Sequence, residues 1–101
     1  MPELDYRALK DLHDYHFPGG SEVDSSKGLF RPDLTDGELE AVFNAGLRDA
    51  GTFKPNASFY YEKTFPYSGI GTSSATNGGG PSSQVTLVIG KHGDVITMYP
   101  V

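Results

Sequence analysis

The chain has 101 residues, 13 of them glycine and seven proline, with 37% hydrophobic residues and a formal net charge of −5. That length fits one domain with a modest core, and six Phe and six Tyr supply much of the apolar area available to fill it. The absence of cysteine excludes disulfides, thiolate zinc sites and thiol nucleophiles; no run of about 18 apolar residues offers a membrane span; and the acidic balance runs against the basic face that nucleic-acid binders ordinarily present.

The opening Met1-Pro-Glu-Leu-Asp5 has neither a basic n-region nor an apolar h-region, so it is not read as a signal peptide. The chain can still be a domain cut from a longer, exported protein. Residues 3–16 predict a first helix, because Leu4, Ala8, Leu9 and Leu12 recur at helical spacing. His13 and His16 close it one turn apart, near one face, and Pro18-Gly19-Gly20 stops it. Residues 19–34 read as a polar loop carrying Ser26, Lys27 and Arg31. Thr35-Asp36-Gly37-Glu38 is a capping-box pattern that opens a second helix. Its apolar stripe is Leu39, Val42, Phe43 and Leu47, with Gly51 as terminator.

Residues 58–65 are rich in aromatics and predict a strand, ended by Pro66. The dense Gly, Ser and Pro of residues 67–83 predict a long flexible loop. Residues 84–89 and 95–99 predict a hairpin joined by Gly90-Lys91-His92-Gly93-Asp94. Strict alternation puts Val85, Leu87 and Ile89 on one face of the first strand. On the second it groups Ile96 with Met98, and Val95 with Thr97 and Tyr99. The expected fold is α+β, a single domain over residues 1–101, with two N-terminal helices packed on a small antiparallel sheet that ends in a C-terminal hairpin.

Three groups of residues could carry chemistry. His13 and His16 titrate near neutrality and could serve as acid and base; equally, they could be cations favoured at a helix C-terminus. Asp11 or Asp14 beside them would not complete a metal site without a third ligand, so no metal and no cofactor are expected. Thr97 and Tyr99 share a polar strand face, although both types also simply favour strands. Small residues at 68–73, with Gly71 and Thr72 at the centre, would let backbone amides approach an anion; the loop is not a P-loop, since no Gly-Lys-Ser/Thr follows. Lys27, Arg31 and Lys63 are the cations that could face a phosphate, and His92 in the hairpin loop reads as structural. No Gly-x-Ser-x-Gly elbow and no paired-carboxylate motif stand out.

The order of these pieces resembles a known family. His13-Asp-Tyr-His16, Ser26-Lys27-Gly28-Leu29-Phe30, Leu34-Thr35-Asp36-Gly37-Glu38-Leu39, Val85-Thr86-Leu87-Val88-Ile89 and the closing Gly93-Asp94-Val95-Ile96-Thr97-Met98-Tyr99-Pro100 resemble the bacterial EndoU-like nuclease toxin domains. These are C-terminal modules of polymorphic and contact-dependent inhibition toxins, within the wider Barnase–EndoU–colicin–RelE group. The closing motif also resembles the RNase A-like toxin domains of the same delivery systems. The resemblance implies metal-independent RNA cleavage, with tRNA among the possible targets, by attack of the ribose 2′-OH to leave a 2′,3′-cyclic phosphate. It implies His13 and His16 as base and acid, with Thr97, Tyr99 and Lys27 holding the phosphate and Ser26, Gly71 and Thr72 beside the substrate. Such domains space their two histidines more widely, which leaves open that only one of this pair serves.

The resemblance further implies a monomer, delivered as the C-terminal part of a larger secreted toxin into the target-cell cytoplasm, and a cognate immunity protein as partner. Two other readings stand beside it. One is a delivered toxin acting on another substrate such as NAD, which suits the acidic composition. The other is a non-enzymatic interaction module built on the glycine-rich, aromatic loop.

Overall fold

A computed structural model describes residues 3–101. Helix α1 (Tyr6–His16) starts at Asp5, whose carboxylate accepts the Ala8 amide at 2.9 Å. Its inward face is Ala8, Leu12 and His16. A short strand β1 (Leu29–Phe30) follows inside the polar loop. Helix α2 (Asp36–Arg48) opens on the expected capping box: the Glu38 amide donates to the Thr35 hydroxyl, and the Glu38 carboxylate accepts the Thr35 amide, each at 3.1 Å. It ends at Asp49, whose amide donates to the Ala45 carbonyl, two residues before Gly51.

The strands after α2 are β2 (Lys54–Pro55), β3 (Tyr61–Pro66), β4 (Gly71–Thr72), β5 (Gln84–Ile89) and β6 (Val95–Pro100). A four-stranded antiparallel sheet runs in the order β2-β3-β5-β6, and β1 pairs with β4 in a second, two-stranded sheet. Phe65, Val85, Leu87 and Met98 line the inner face of the larger sheet. They pack with Leu39, Val42 and Phe43 of α2, Leu12 of α1, and Phe17, Phe30, Leu34 and Ile70 from the connections. Helix α2 lies against β3 and β5, and α1 lies along β6. The fold is therefore α+β, with the helices first and the closing hairpin as expected.

Three local readings are corrected. The strand begins at Tyr61, not Ser58, because the Asn56 side-chain oxygen accepts the amides of both Ser58 and Tyr60 and folds 56–60 into a turn. Residues 67–83 are not an open flexible loop: β4, a 3₁₀ turn at Ala75–Asn77 and the bonds Tyr67 N–H to Ser83 O, Ser73 N–H to Gly80 O and Ser82 N–H to Gly71 O fix them. The hairpin carries a bulge, since Val88 faces Thr97 while Ile89 faces Val95. The extra residue, Ile96, breaks the two-residue alternation. Val95 therefore packs against the core, and Ile96 joins Thr97 and Tyr99 on the opposite side.

Gly46 shows how tightly α2 sits on the sheet. A Cβ there would stand 2.6 Å from Cε1 of Phe65 and 3.3 Å from Cδ2 of Leu87, both buried. In a free helix, Ala in place of Gly gains about 1 kcal/mol; overpacking a core costs about 1–3 kcal/mol. Gly46→Ala should therefore lower the urea midpoint with an unchanged m-value. An unchanged or raised midpoint would mean that the helix can lift off the sheet freely.

Candidate functional site

Helix α1 delivers Asp11, Tyr15 and His16 to the outer side of β6. The connection after it returns Ser26, Lys27 and Gly28 to the same place, and β6 adds Ile96, Thr97 and Tyr99. These residues enclose a cleft of about 510 Å³. Gly28 is required by the close approach of the connection to the sheet: a Cβ on it would run into the carbonyl of Pro100.

His16 is the buried member, 5% exposed. Its Nδ1 lies 3.0 Å from the Gly28 carbonyl oxygen. A carbonyl only accepts, so Nδ1 carries the proton and donates. In the neutral ring the free lone pair is then on Nε2, which has no hydrogen-bond partner among the described residues. The imidazole stacks on the Tyr99 ring with centroids 5.1 Å apart and planes inclined by 23°. Burial pulls the His16 pKa below its ordinary value, the Gly28 bond opposes that, and the nearby Lys27 charge adds to it. Burial thus favours the neutral imidazole.

Tyr99 shifts the other way. Burial, and then the Glu62 carboxylate, push its pKa up, against an opposing interaction with the Thr86 hydroxyl. The shift favours the neutral phenol. Among the described residues, Lys27 is the only Lys or Arg lining the cleft. Its ammonium lies 5.9 Å over the Tyr15 ring, 3.4 Å from the Ser26 hydroxyl and 3.7 Å from Asp24. Asp24 itself is held by the Ser26 hydroxyl and amide, which lower its pKa.

The structure thus brings together His16, Thr97, Tyr99, Lys27 and Ser26, and separates the others. His13 is not in the cleft. Its ring lies flat on Phe17, centroids 4.2 Å apart, and its Nε2 is 3.1 Å from Asp36, so it ties the end of α1 to the start of α2. Gly71 and Thr72 are also elsewhere: strand pairing with β1 takes them into a groove bordered by Pro18, Pro32 and Pro81. The Ile70 and Gly71 carbonyls accept the Arg31 and Ser82 amides, so this segment is built into the sheet and forms no anion nest at the cleft. Arg31 pairs with Asp33 and Glu38, Lys63 is buried under Phe53 with its ammonium on the Asp49 carbonyl, and His92 sits on the hairpin loop.

Sequence reading missed Tyr15 and Ile96, and weighed Asp11 only as a metal neighbour. Asp11 and Tyr15 are four residues apart on α1, a signal that was present; Ile96 reaches the cleft only through the bulge. No cluster of three or more His, Asp or Glu with metal-binding geometry occurs among the described residues. No helix among them is long and apolar enough to cross a membrane. Compared with protein-family models, with curated proteins and with solved structures, the chain gives no significant match.

The lowered His16 pKa has a consequence for stability. In the unfolded chain histidine titrates at about 6.5. Between that value and the lower folded pKa the unfolded state binds the extra proton, so stability is full above about pH 6.5 and falls as the pH drops toward the folded pKa. His16→Gln keeps a donor for the Gly28 carbonyl without the titration. Denaturation midpoints measured against pH should fall less steeply on the acid side in His16→Gln than in the unaltered protein. Parallel curves would show that His16 does not titrate as a buried group.

Proposed function

We propose that this domain is a metal-independent endoribonuclease. The observation that carries the reading is the fixed tautomer of His16, with Nε2 free, in one cleft with Lys27, Thr97 and Tyr99. In this reading Nε2 takes the proton of the ribose 2′-OH as the 2′-oxygen bonds to phosphorus. The bond from phosphorus to the 5′-oxygen breaks, leaving a 2′,3′-cyclic phosphate, and the departing oxygen takes a proton from the Lys27 ammonium. The Thr97 hydroxyl and Tyr99 phenol donate to the non-bridging oxygens as their charge develops. Lys27 fills the acid's place that the resemblance gave to a second histidine.

The resemblance of the closing Gly93–Pro100 motif supports the wider proposal: a toxin domain delivered into a target-cell cytoplasm, monomeric and neutralised by an immunity protein. The NAD reading is tested in parallel.

Folded protein incubated with total RNA and EDTA should yield fragments ending in 2′,3′-cyclic phosphate, while DNA, which lacks the 2′-OH, should survive. His16→Ala should lose about 10²–10⁴ in rate and Thr97→Ala about 10²–10³. Tyr99→Phe should slow cleavage without unfolding, and His13→Ala should keep near-normal activity. The rate should rise with pH through the lowered pKa of His16 and then level, because among the described residues no second imidazole lines the cleft to bring it down near neutrality. A protein that cuts no RNA in a target-cell lysate, or only without EDTA, rules the reading out. Nicotinamide release from NAD would replace it with the alternative.

A further inference from the structure

A row of hydroxyls crosses the outer side of the larger sheet and ends at the cleft. Thr64 of β3 stands opposite Thr86 of β5, and Thr86 stands opposite Tyr99 of β6. Residues directly opposite in an antiparallel pair share a face, so all three lie on the side away from Phe65, Leu87 and Met98. The hydroxyl oxygens of Thr64 and Thr86 are 2.7 Å apart. Thr64 is exposed, whereas Thr86 is only 3% exposed. The larger of its two cross-strand neighbours is Tyr99, whose phenol interacts with the Thr86 hydroxyl. Among the described residues no member of β5 lines the cleft, so Thr86 can act there only through Tyr99.

A hydroxyl has one proton to give and two lone pairs with which to receive. A phenol gives its proton in the plane of the ring, in one of two opposed directions. A Tyr99 that gave its proton to Thr86 would have none for a group in the cleft. A Thr86 that gives its proton to the phenol oxygen turns the phenol O–H away from β5 and leaves that proton free. Thr86 has then spent its own proton and must accept from Thr64, which is exposed and can take its remaining bonds from water. Only the order Thr64 to Thr86 to Tyr99 leaves a donor for the cleft, and each bond in it polarises the next. We infer that Thr86 is a positioning residue: its hydroxyl, held by Thr64, donates to the Tyr99 phenol and turns the phenol proton toward the cleft. The role in cleavage rests on the ribonuclease reading; the contact with Tyr99 can be tested alone. The titratable groups beside the phenol are Glu62, in the next row of the same face, and His16, stacked on the ring, and both stay in place in the variants that test Thr86.

Thr86→Val keeps the shape of the side chain, suits a strand and removes the hydroxyl, while Thr86→Ser restores it. The contact is read from the pH titration of the Tyr99 ring by NMR, in protein carrying isotope-labelled tyrosine, with the signal assigned by its loss in Tyr99→Phe. Thr86→Val takes away a group that favours the ionised phenol, so the Tyr99 pKa should rise further, and Thr86→Ser should bring it back. In cleavage of a dinucleotide, Thr86→Val should lower kcat about fivefold to tenfold, the worth of one hydrogen bond, with KM nearly unchanged. In a Tyr99→Phe background the same change should cost nothing more, which a merely structural threonine would not show. Thr64→Val should cost less, because water can take its place. The inference is overturned if the Tyr99 pKa is the same in Thr86→Val, if kcat is unchanged, or if the loss persists in full beside Tyr99→Phe. A Tyr99 pKa that rises in a protein cleaving no RNA would keep the Thr86 contact and sink the ribonuclease reading. Cleavage by a protein whose Tyr99 pKa ignores Thr86 would do the reverse.

Discussion

Strand β5 is hydrogen-bonded along its full length on both edges, and the rest of the molecule takes its register from it. Its inner face of Val85, Leu87 and Ile89 is apolar, so only one register buries it properly. A slip of one residue would exchange Met98 and Pro100 for Thr97 and Tyr99 on the inner face of β6. The same constraint that fills the core therefore turns Thr97 and Tyr99 outward, toward α1. The bulge at Ile96 absorbs the one residue that does not fit and adds a third side chain to the cleft. Packing on one side of the sheet thus composes the cleft on the other.

His16 joins helix α1 to the connection beside the cleft in a single hydrogen bond. A buried N–H left without a partner costs roughly 1–3 kcal/mol, and the Gly28 carbonyl meets that need. Doing so closes the connection between α1 and β1 and also decides which ring nitrogen is free. His13, one turn earlier, faces the start of α2, where it stacks on Phe17 and reaches Asp36. The two histidines are three residues apart and hold different positions: one is part of a packed corner, the other a buried ring that lines the cleft.

What could be read from the sequence was local. The Thr35–Glu38 cap, the stripe of α2 and the alternation of β5 each specify their element within a few residues, and the structure contains all three. Thr97, Tyr99 and one histidine of the pair were legible as a group because the resemblance placed them together, not because spacing did. Which histidine was not legible, since that depends on the rotation of α1 against β6. The aromatic run at 58–61 misled, because the Asn56 side chain offers its own bonds to the backbone and outcompetes strand propensity. The glycine-rich stretch misled in the opposite sense. Its order comes from distant partners: the Thr76 amide and hydroxyl both donate to the Ser25 carbonyl, some fifty positions away, which no local pattern announces.

The close approach of Gly28 to the Pro100 carbonyl has a kinetic meaning. The cleft draws on residues 11–28 and 96–99, so forming it closes a loop of nearly the whole chain. Contacts of such separation are slow to form, because loop entropy must be met before the contact rewards it. A nascent or threaded chain can hold both helices without holding a site, because β6 must first pair with β5. The imidazole finds its carbonyl only when the two ends of the fold meet, so an ordered cleft reports completed topology rather than mere collapse.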